Sequence, residues 1–128
     1  HIKLTLEQKW RTIFIMYGLG YGSAEEREAM KNRLEEEDTT DIKRRFLTRI
    51  DAMTASQERR LEMWDEFVNK GHEKNLDTME NSFIGFNSRF VSSEMRQEFV
   101  DRYFEDVVKV MKNTTVDYMA DFFKKLEP

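Results

Sequence analysis

The chain has 128 residues, a hydrophobic fraction of 39%, a charged fraction of 36% and a formal net charge of −4. This size and composition predict one soluble folded domain and exclude an intrinsically disordered segment. The chain has no cysteine, which excludes disulfides and thiolate chemistry, and its acidic balance argues against nucleic-acid binding.

Seven helices are predicted, in chain order, from capping residues at their starts and from glycine or polar residues at their ends. The capping pairs are Thr5 with Gln8, Ser23 with Glu26, Thr54 with Gln57, Asp77 with Glu80, and Thr114 with Asp117. The third helix takes its cap from residues 38–41, and the sixth from Ser92 or Ser93. The predicted ends are Tyr17, about Glu36, Met53, Gly71, Gly85 to Asn87, about Lys112, and Leu126.

Apolar residues recur with the helical period, which gives each helix one buried face. The clearest stripes are Ile42, Phe46, Ile50 and Met53; Leu61, Trp64 and Val68; and Met95, Phe99, Tyr103, Val107 and Met111. No stretch alternates long enough to predict a strand. We therefore predict an all-α fold, with about seven helices in antiparallel pairs that form an α-α superhelix (a HEAT-like solenoid). Residues 1–128 form one domain, and the longest apolar run, 13–17, predicts no membrane span.

Residues 71–76, Gly-His-Glu-Lys-Asn-Leu, begin like a zinc-protease motif. That motif needs a second histidine one helical turn after the first, but residue 76 is leucine and the other histidine is His1. We interpret His72 as a helix-end residue, and we predict no catalytic residue and no metal ligand in this chain. A metal site built from carboxylates alone stays open as an alternative.

A basic cluster on the third predicted helix allows two interpretations. Its side chains could form a solvated face that pairs with nearby acids. They could instead hold a carboxylate, such as a peptide C-terminus, by bidentate contacts. For the second interpretation the candidate peptide-carboxylate contacts are Arg44, Arg45 and Arg49.

Four segments together resemble the C-terminal helical domain of the zinc aminopeptidase N family. In 52–64, AMTASQERRLEMW, Arg60 precedes Trp64 by four residues. Residues 85–111 contain a Gly-Phe-Asn segment and then an Arg-Tyr-Phe helix. The other two segments are a tryptophan-bearing helix that runs into glycines, 10–22, and a closing apolar helix with a terminal proline, 122–128. The chain departs from the family pattern in two places, with Ala55 near a common proline and Met111 in place of a tryptophan.

The resemblance implies a non-catalytic accessory domain. In that family the zinc and peptide-amine motifs lie in an upstream catalytic domain, so zinc would be a cofactor of the parent enzyme and no cofactor would bind this chain. The C-terminal domain is a curved array of helix pairs that covers the cleft, encloses a chamber and limits peptide access. The expected partners are the upstream catalytic domain and the peptide substrate.

Two further expectations follow from a chain that is the final part of such an array. Missing upstream helices would leave an apolar face exposed, with Ile13, Phe14 and Tyr17 as candidates, and the chain could self-associate there. A first residue that is histidine indicates a processing or expression boundary. The lack of cysteine is compatible with the cytoplasm.

The alternative function is a stand-alone helical-repeat scaffold that binds a partner helix or peptide.

Overall fold

The computed structural model describes residues 3–128, and within that range the chain folds into seven α-helices with no strand. The helices are α1 (Leu6–Leu19), α2 (Ala24–Glu37), α3 (Ile42–Met53), α4 (Gln57–Asn69), α5 (Leu76–Phe86), α6 (Ser93–Asn113) and α7 (Val116–Leu126). One short 3-10 helix, Gly71–Glu73, lies between α4 and α5. The predicted all-α class is confirmed, and each predicted helix overlaps an observed one.

Two of the predicted capping boxes are present in full. Thr5 Oγ1 accepts from the backbone N–H of Gln8 at 3.1 Å, and Gln8 Oε1 accepts from that of Thr5 at 2.9 Å. Ser23 and Glu26 form the same reciprocal pair at the start of α2. Each box satisfies donors that have no partner inside the helix. The predicted start of α6 is also confirmed, with Ser92 as its cap.

The predicted starts of three other helices are wrong by one or two residues. The observed caps of α4, α5 and α7 are Ser56, Asn75 and Thr115, in place of the predicted Thr54, Asp77 and Thr114. The Thr54 hydroxyl instead donates to the Ile50 carbonyl at 2.8 Å, and the Thr114 hydroxyl donates to the Val110 carbonyl at 2.6 Å. Both threonines therefore belong to the end of the preceding helix, because their hydroxyls bond backward along the chain.

The odd-numbered helices lie side by side in chain order. The α3 helix packs against both α1 and α5, and α5 also packs against α7. Among the even-numbered helices, α2 contacts α1, α4 contacts α6, and α6 also contacts α7. Helices α1, α3, α5 and α7 therefore form a continuous row. Helix α2 packs against α1, and α4 and α6 pack against each other.

The buried apolar residues form two cores. The first core lies between α1, α2 and α3 and contains Trp10, Ile13, Leu34, Phe46 and Ile50. The second core is larger and is contributed mainly by α4 to α7. Its aromatic members are Trp64, Phe67, Phe83, Phe86, Phe99, Tyr103, Tyr118 and Phe122. Large buried aromatic side chains dominate the energetics of such a core, so the second core is expected to contribute most of the stability.

A close helix contact joins the two cores at Gly85 of α5. A Cβ atom added there would collide with the backbone carbonyl oxygen of Arg49 in α3 and would lie 2.9 Å from the Ala52 Cβ. Glycine therefore allows the α3 and α5 backbones to approach more closely than any other residue would.

The prediction that Ile13 belongs to an exposed face of the first helix is wrong, because Ile13 is buried in the first core. Phe14 and Tyr17 are half-buried and pack against the same core. The physical reason is that α2 and α3 pack back on α1, and that Phe90, from the connection before α6, meets Phe14 edge to face at 6.1 Å. In residues 3–128, no helix has the length and apolar character needed to cross a membrane.

Candidate functional site

Arg60 lies in the interior of the second core, where an arginine is unusual. Ser56 begins α4 by accepting from the Arg59 N–H, which places the following residue, Arg60, on the inward face of the first turn. The Arg60 side chain is 0% exposed. Its guanidinium carbon lies 3.9 Å from the centre of the Phe86 ring and 5.3 Å from that of Phe99. The cation therefore stacks on aromatic faces, an arrangement that stabilises a desolvated positive charge.

The hydrogen bonds of Arg60 are incomplete. Its Nη1 donates to the Phe86 carbonyl at 2.8 Å. That carbonyl is at the last residue of α5, where carbonyl groups have no partner within the helix. Among residues 3–128, however, Nε and Nη2 of Arg60 have no hydrogen-bond partner. Desolvation and then the nearby Arg96 cation lower the pKa of Arg60 to about 10, so the group remains charged at neutral pH.

Trp64 lies one helical turn after Arg60 and forms the centre of the aromatic packing. Its ring centre is 6.0 Å from that of Phe86, 5.4 Å from that of Phe99 and 5.6 Å from that of Phe122. Its indole Nε1 donates to Asp106 Oδ2 on α6 at 2.8 Å. This bond fixes the ring against α6 and satisfies the polar atom of a buried tryptophan.

A cavity of about 280 Å³ opens beside Arg60 and Trp64. Its lining residues come from α4, α6 and α7 and from the end of α5, and they are Arg60, Trp64, Phe86, Asn87, Ser93, Arg96, Gln97, Phe99, Val100, Leu126 and Pro128. Asn87 Nδ2 donates to the carbonyls of Lys125 and Glu127 at 3.0 and 3.2 Å, which holds the end of α7 beside the cavity. The site is therefore an apolar pocket that contains two arginines.

The candidate peptide contacts on α3 are already engaged within the chain. Arg44 donates to Asp77 at 2.7 Å and to Asp41 at 2.9 Å, and these hydrogen bonds raise its pKa. Arg45 Nε lies 3.7 and 3.8 Å from the same two carboxylates. The structure therefore brings Arg44 and Arg45 together around two acids, which an incoming peptide carboxylate would have to displace.

Arg49 lies apart from this pair of carboxylates. Its Nε donates to Asn81 Oδ1 at 2.7 Å, and its guanidinium lies 4.7 Å from the centre of the Phe46 ring. Desolvation lowers its pKa. Arg49 thus belongs to the contact between α3 and α5, while Arg44 and Arg45 point to the start of α5.

His72 lies in the 3-10 helix after α4, and its ring meets the edge of Tyr118 at 6.3 Å between centres. The Tyr118 hydroxyl in turn donates to the Phe67 carbonyl. The other histidine, His1, lies outside the described residues. Within the described range, no three His, Cys, Asp or Glu side chains are placed so that they could hold a metal ion.

Sequence reasoning missed the two charged residues that are buried within residues 3–128, Asp38 and Arg60. Asp38 was expected only as a cap for α3, but it is 1% exposed and accepts from Trp10 Nε1 at 2.8 Å. Arg60 was identified by its spacing to Trp64, not as a buried cation. One signal was available: residues 60, 64 and 67 share one face of α4, so an arginine interrupts an otherwise apolar stripe.

Comparison with known proteins gives no match: no family model, no curated protein and no solved structure is similar enough to the chain to assign it. The resemblance to the aminopeptidase N family therefore rests on the four sequence segments alone.

Proposed function

We propose that this chain is the non-catalytic C-terminal accessory domain of a zinc metallo-aminopeptidase. In this role it forms part of the wall of a chamber over the active site and limits the access of peptides to it. An upstream catalytic domain of the parent enzyme binds the zinc and releases N-terminal amino acids from peptides. The partners of this chain are that domain and the peptide substrate.

The observation that carries the proposal is a contact among three of the segments on which the resemblance rests. Arg60, from segment 52–64, donates to the carbonyl of Phe86 in segment 85–111. Asn87, in the latter segment, donates to the Lys125 carbonyl in segment 122–128. Segments that are far apart in the sequence thus form one structural unit, which supports their use as a single family signature.

The order of helix contacts also supports the proposal. A curved wall of helix pairs needs alternate helices to lie beside each other, so that each pair buries its apolar face on the next. The row α1, α3, α5 and α7 has this order. The close contact of α3 with α5 at Gly85 continues the packing between the two cores.

The deciding experiment is to sequence the gene upstream of the codon for His1. The proposal expects an open reading frame that continues upstream and encodes a His-Glu-x-x-His segment. A start codon close to His1, with no such segment, would contradict it and favour the stand-alone scaffold. One observation favours that second function: Phe104, Val108 and Met111 form an exposed apolar stripe on α6, to which a partner helix could bind.

A second experiment tests the non-catalytic assignment directly. The purified 128-residue chain is incubated with aminoacyl-coumarin substrates, with and without added zinc. We expect no release of coumarin above that of a buffer control. Zinc-dependent release that is abolished by a chelator would show that the chain carries a catalytic site of its own.

A further inference from the structure

The cavity beside Arg60 contains a positive charge that no Asp or Glu side chain among its described lining residues neutralises. Other arginines of the chain pair with carboxylates: Arg44 with Asp41 and Asp77, and Arg59 with Glu62. Arg60 is more deeply buried than any of these, and yet no Asp or Glu is among the described residues that line the cavity. A buried charge without a counter-ion is costly, because desolvation is not offset by an opposite charge.

The two unpartnered donor atoms of Arg60 have the geometry that a carboxylate requires, and because they are buried in this structure, a ligand reaches them only when the neighbouring side chains move. Nη1 is occupied by the Phe86 carbonyl, which leaves Nε and Nη2. In a planar guanidinium, Nε–H and one Nη2–H point in parallel from the same edge, and their spacing matches the two oxygens of a carboxylate. Stacking on Phe86 holds the plane of this edge in place before any ligand arrives.

The second arginine of the cavity adds to its positive potential. Arg96 Nε donates to the Val91 carbonyl at 3.1 Å, and its half-buried side chain lines the cavity. The described residues that line the cavity include two arginines and no Asp or Glu side chain, which favours an anionic ligand over a cationic one; the terminal carboxylate of the 128-residue chain, at Pro128, also lies at this cavity and competes with such a ligand.

The walls of the cavity determine the rest of the ligand. Trp64, Phe86, Phe99, Val100 and Leu126 supply an apolar surface, and the volume of about 280 Å³ is just below the usual range for ligand pockets, so only a small ligand fits. A small molecule with one anionic group and one apolar body matches these walls better than a compact, fully solvated anion such as phosphate.

We propose that this cavity is a binding site for a small apolar monocarboxylate, whose carboxylate takes the Nε and Nη2 edge of Arg60 and whose apolar body lies against Trp64 and Phe99. This site is separate from Arg44, Arg45 and Arg49. It does not depend on the proposed function, because it rests only on the geometry of the second core.

The test is a titration of the ¹⁵N-labelled 128-residue chain, followed by NMR at the Arg60 Nε–H and Trp64 Nε1–H signals. Phenylacetate is the probe, and phenylacetamide is its neutral control of the same shape. We expect saturable shifts of both signals with phenylacetate and none with phenylacetamide. Equal responses to acid and amide, or no response to the acid, would overturn the proposal.

Two further probes distinguish the source and kind of anion. Shifts caused by inorganic phosphate at the same concentration as phenylacetate would overturn the assignment to a carboxylate. A short peptide that ends in phenylalanine is tested with a free and with an amidated C-terminus. Shifts caused by the free-acid peptide but not by the amidated peptide would support recognition of a carboxylate. The affinity of the free-acid peptide relative to that of phenylacetate shows whether the cavity prefers a peptide C-terminus or a free acid.

Variants test the role of Arg60 in binding. Arg60→Lys keeps the charge but loses the bidentate edge, and we expect phenylacetate to bind about tenfold more weakly. Because Arg60 is buried, the backbone amide spectrum must first show that this variant is folded. Arg96→Gln removes the second cation from the cavity and is expected to weaken phenylacetate binding severalfold. This variant tests the proposal independently if Arg60→Lys does not fold. Arg89→Gln, on an exposed residue outside the cavity, is the matched control, and an equal loss of affinity there would contradict the proposal.

Discussion

Each core of the molecule contains a tryptophan whose indole N–H donates to a carboxylate, and each also contains one fully buried charged residue. In the first core the carboxylate that accepts from the tryptophan is itself the buried charged residue. Trp10 donates to Asp38, whose other oxygen accepts from the N–H and hydroxyl of Thr40, both at 2.6 Å. In the second core these are two different residues: Trp64 donates to Asp106, whereas the buried charge is Arg60, which keeps two donors without partners in the described chain.

The difference separates a structural charge from a candidate binding group. Desolvation raises the pKa of Asp38, but the bonds from Thr40 and Trp10 outweigh it, so that the pKa lies below its ordinary value. The fold therefore stabilises the charged form of Asp38 completely from within. Arg60 is stabilised only in part, by one carbonyl and two aromatic rings, and its buried side chain lies beside a cavity. A buried charge whose partners are complete leaves nothing for a ligand to bind.

The largest effect is expected where the two cores meet. Gly85→Ala places a methyl group against the Arg49 carbonyl, a backbone atom that cannot move without shifting α3. We expect a loss of about 3 kcal/mol in the free energy of unfolding, measured by urea denaturation. Gly20→Ala is the matched control: its φ of 64° is unfavourable for alanine, but no atom lies within 4 Å of the added methyl group. Its loss is expected to be about 1 kcal/mol, and equal losses would contradict the close contact.

The two tryptophans provide a direct comparison of the cores. Trp10→Phe removes a donor from the fully buried Asp38, and we expect its hydrogen-bond loss to be about 2 kcal/mol. Trp64→Phe removes the donor to Asp106, whose side chain is 17% exposed and has Lys109 Nζ at 3.5 Å, so we expect about 1 kcal/mol from this bond. Urea denaturation at neutral pH measures both variants. A larger loss of unfolding free energy in Trp64→Phe than in Trp10→Phe would show that side-chain packing, and not the burial of the accepting carboxylate, determines which variant is less stable.

The pH dependence of stability tests Asp38 in a second way. Its folded-state pKa lies below the unfolded value, so its contribution is present above about pH 4 and is lost as the pH falls through the folded pKa. Asp38→Asn should therefore lower stability at neutral pH and flatten the loss at acidic pH. The measurement is urea denaturation between about pH 6 and pH 3.

Asp51→Asn is the control with the opposite sign. Desolvation raises the pKa of Asp51, so protonation favours the folded state as the pH falls. Removing that group should make the acid-induced loss slightly steeper. If Asp38→Asn instead made the acid-induced loss steeper, as is expected of Asp51→Asn, the assignment of Asp38 as a fully satisfied carboxylate would be contradicted.

The helices could be predicted from the sequence because their signals are local. The capping boxes of α1 and α2 each span about one helical turn, and the structure has both. The predicted stripe of α6 is confirmed for Phe99 and Tyr103, but it is wrong for Met111, which is exposed while Val110 is buried. The environment of Arg60 could not be predicted in this way. It depends on Phe86, which is 26 residues away, and on Phe99, and a single sequence does not show which distant ring will pack on which cation.

The candidate contacts on α3 show the same limit. The acids near Arg44 in the sequence indicated a paired, solvated face, and Asp41 does pair with it. The second acid, Asp77, reaches Arg44 only because α3 packs against α5. The sequence therefore allowed both interpretations of the basic cluster, and only the helix packing shows how much of each guanidinium is already engaged.

The smallest expected effect concerns the start of α4, at the boundary between the cores. Ser56→Ala removes the side chain that accepts from the Arg59 N–H, and we expect a loss of about 1 kcal/mol. Thr54→Ala, the matched change at the predicted but incorrect cap, removes only a bond to the Ile50 carbonyl and should cost about half as much. Because Arg60 follows this cap within one turn, Ser56→Ala should also broaden the Arg60 Nε–H signal, whereas Thr54→Ala should leave it unchanged. A larger loss in Thr54→Ala would mean that the end of α3, and not the cap of α4, determines how rigidly this arginine enters the second core.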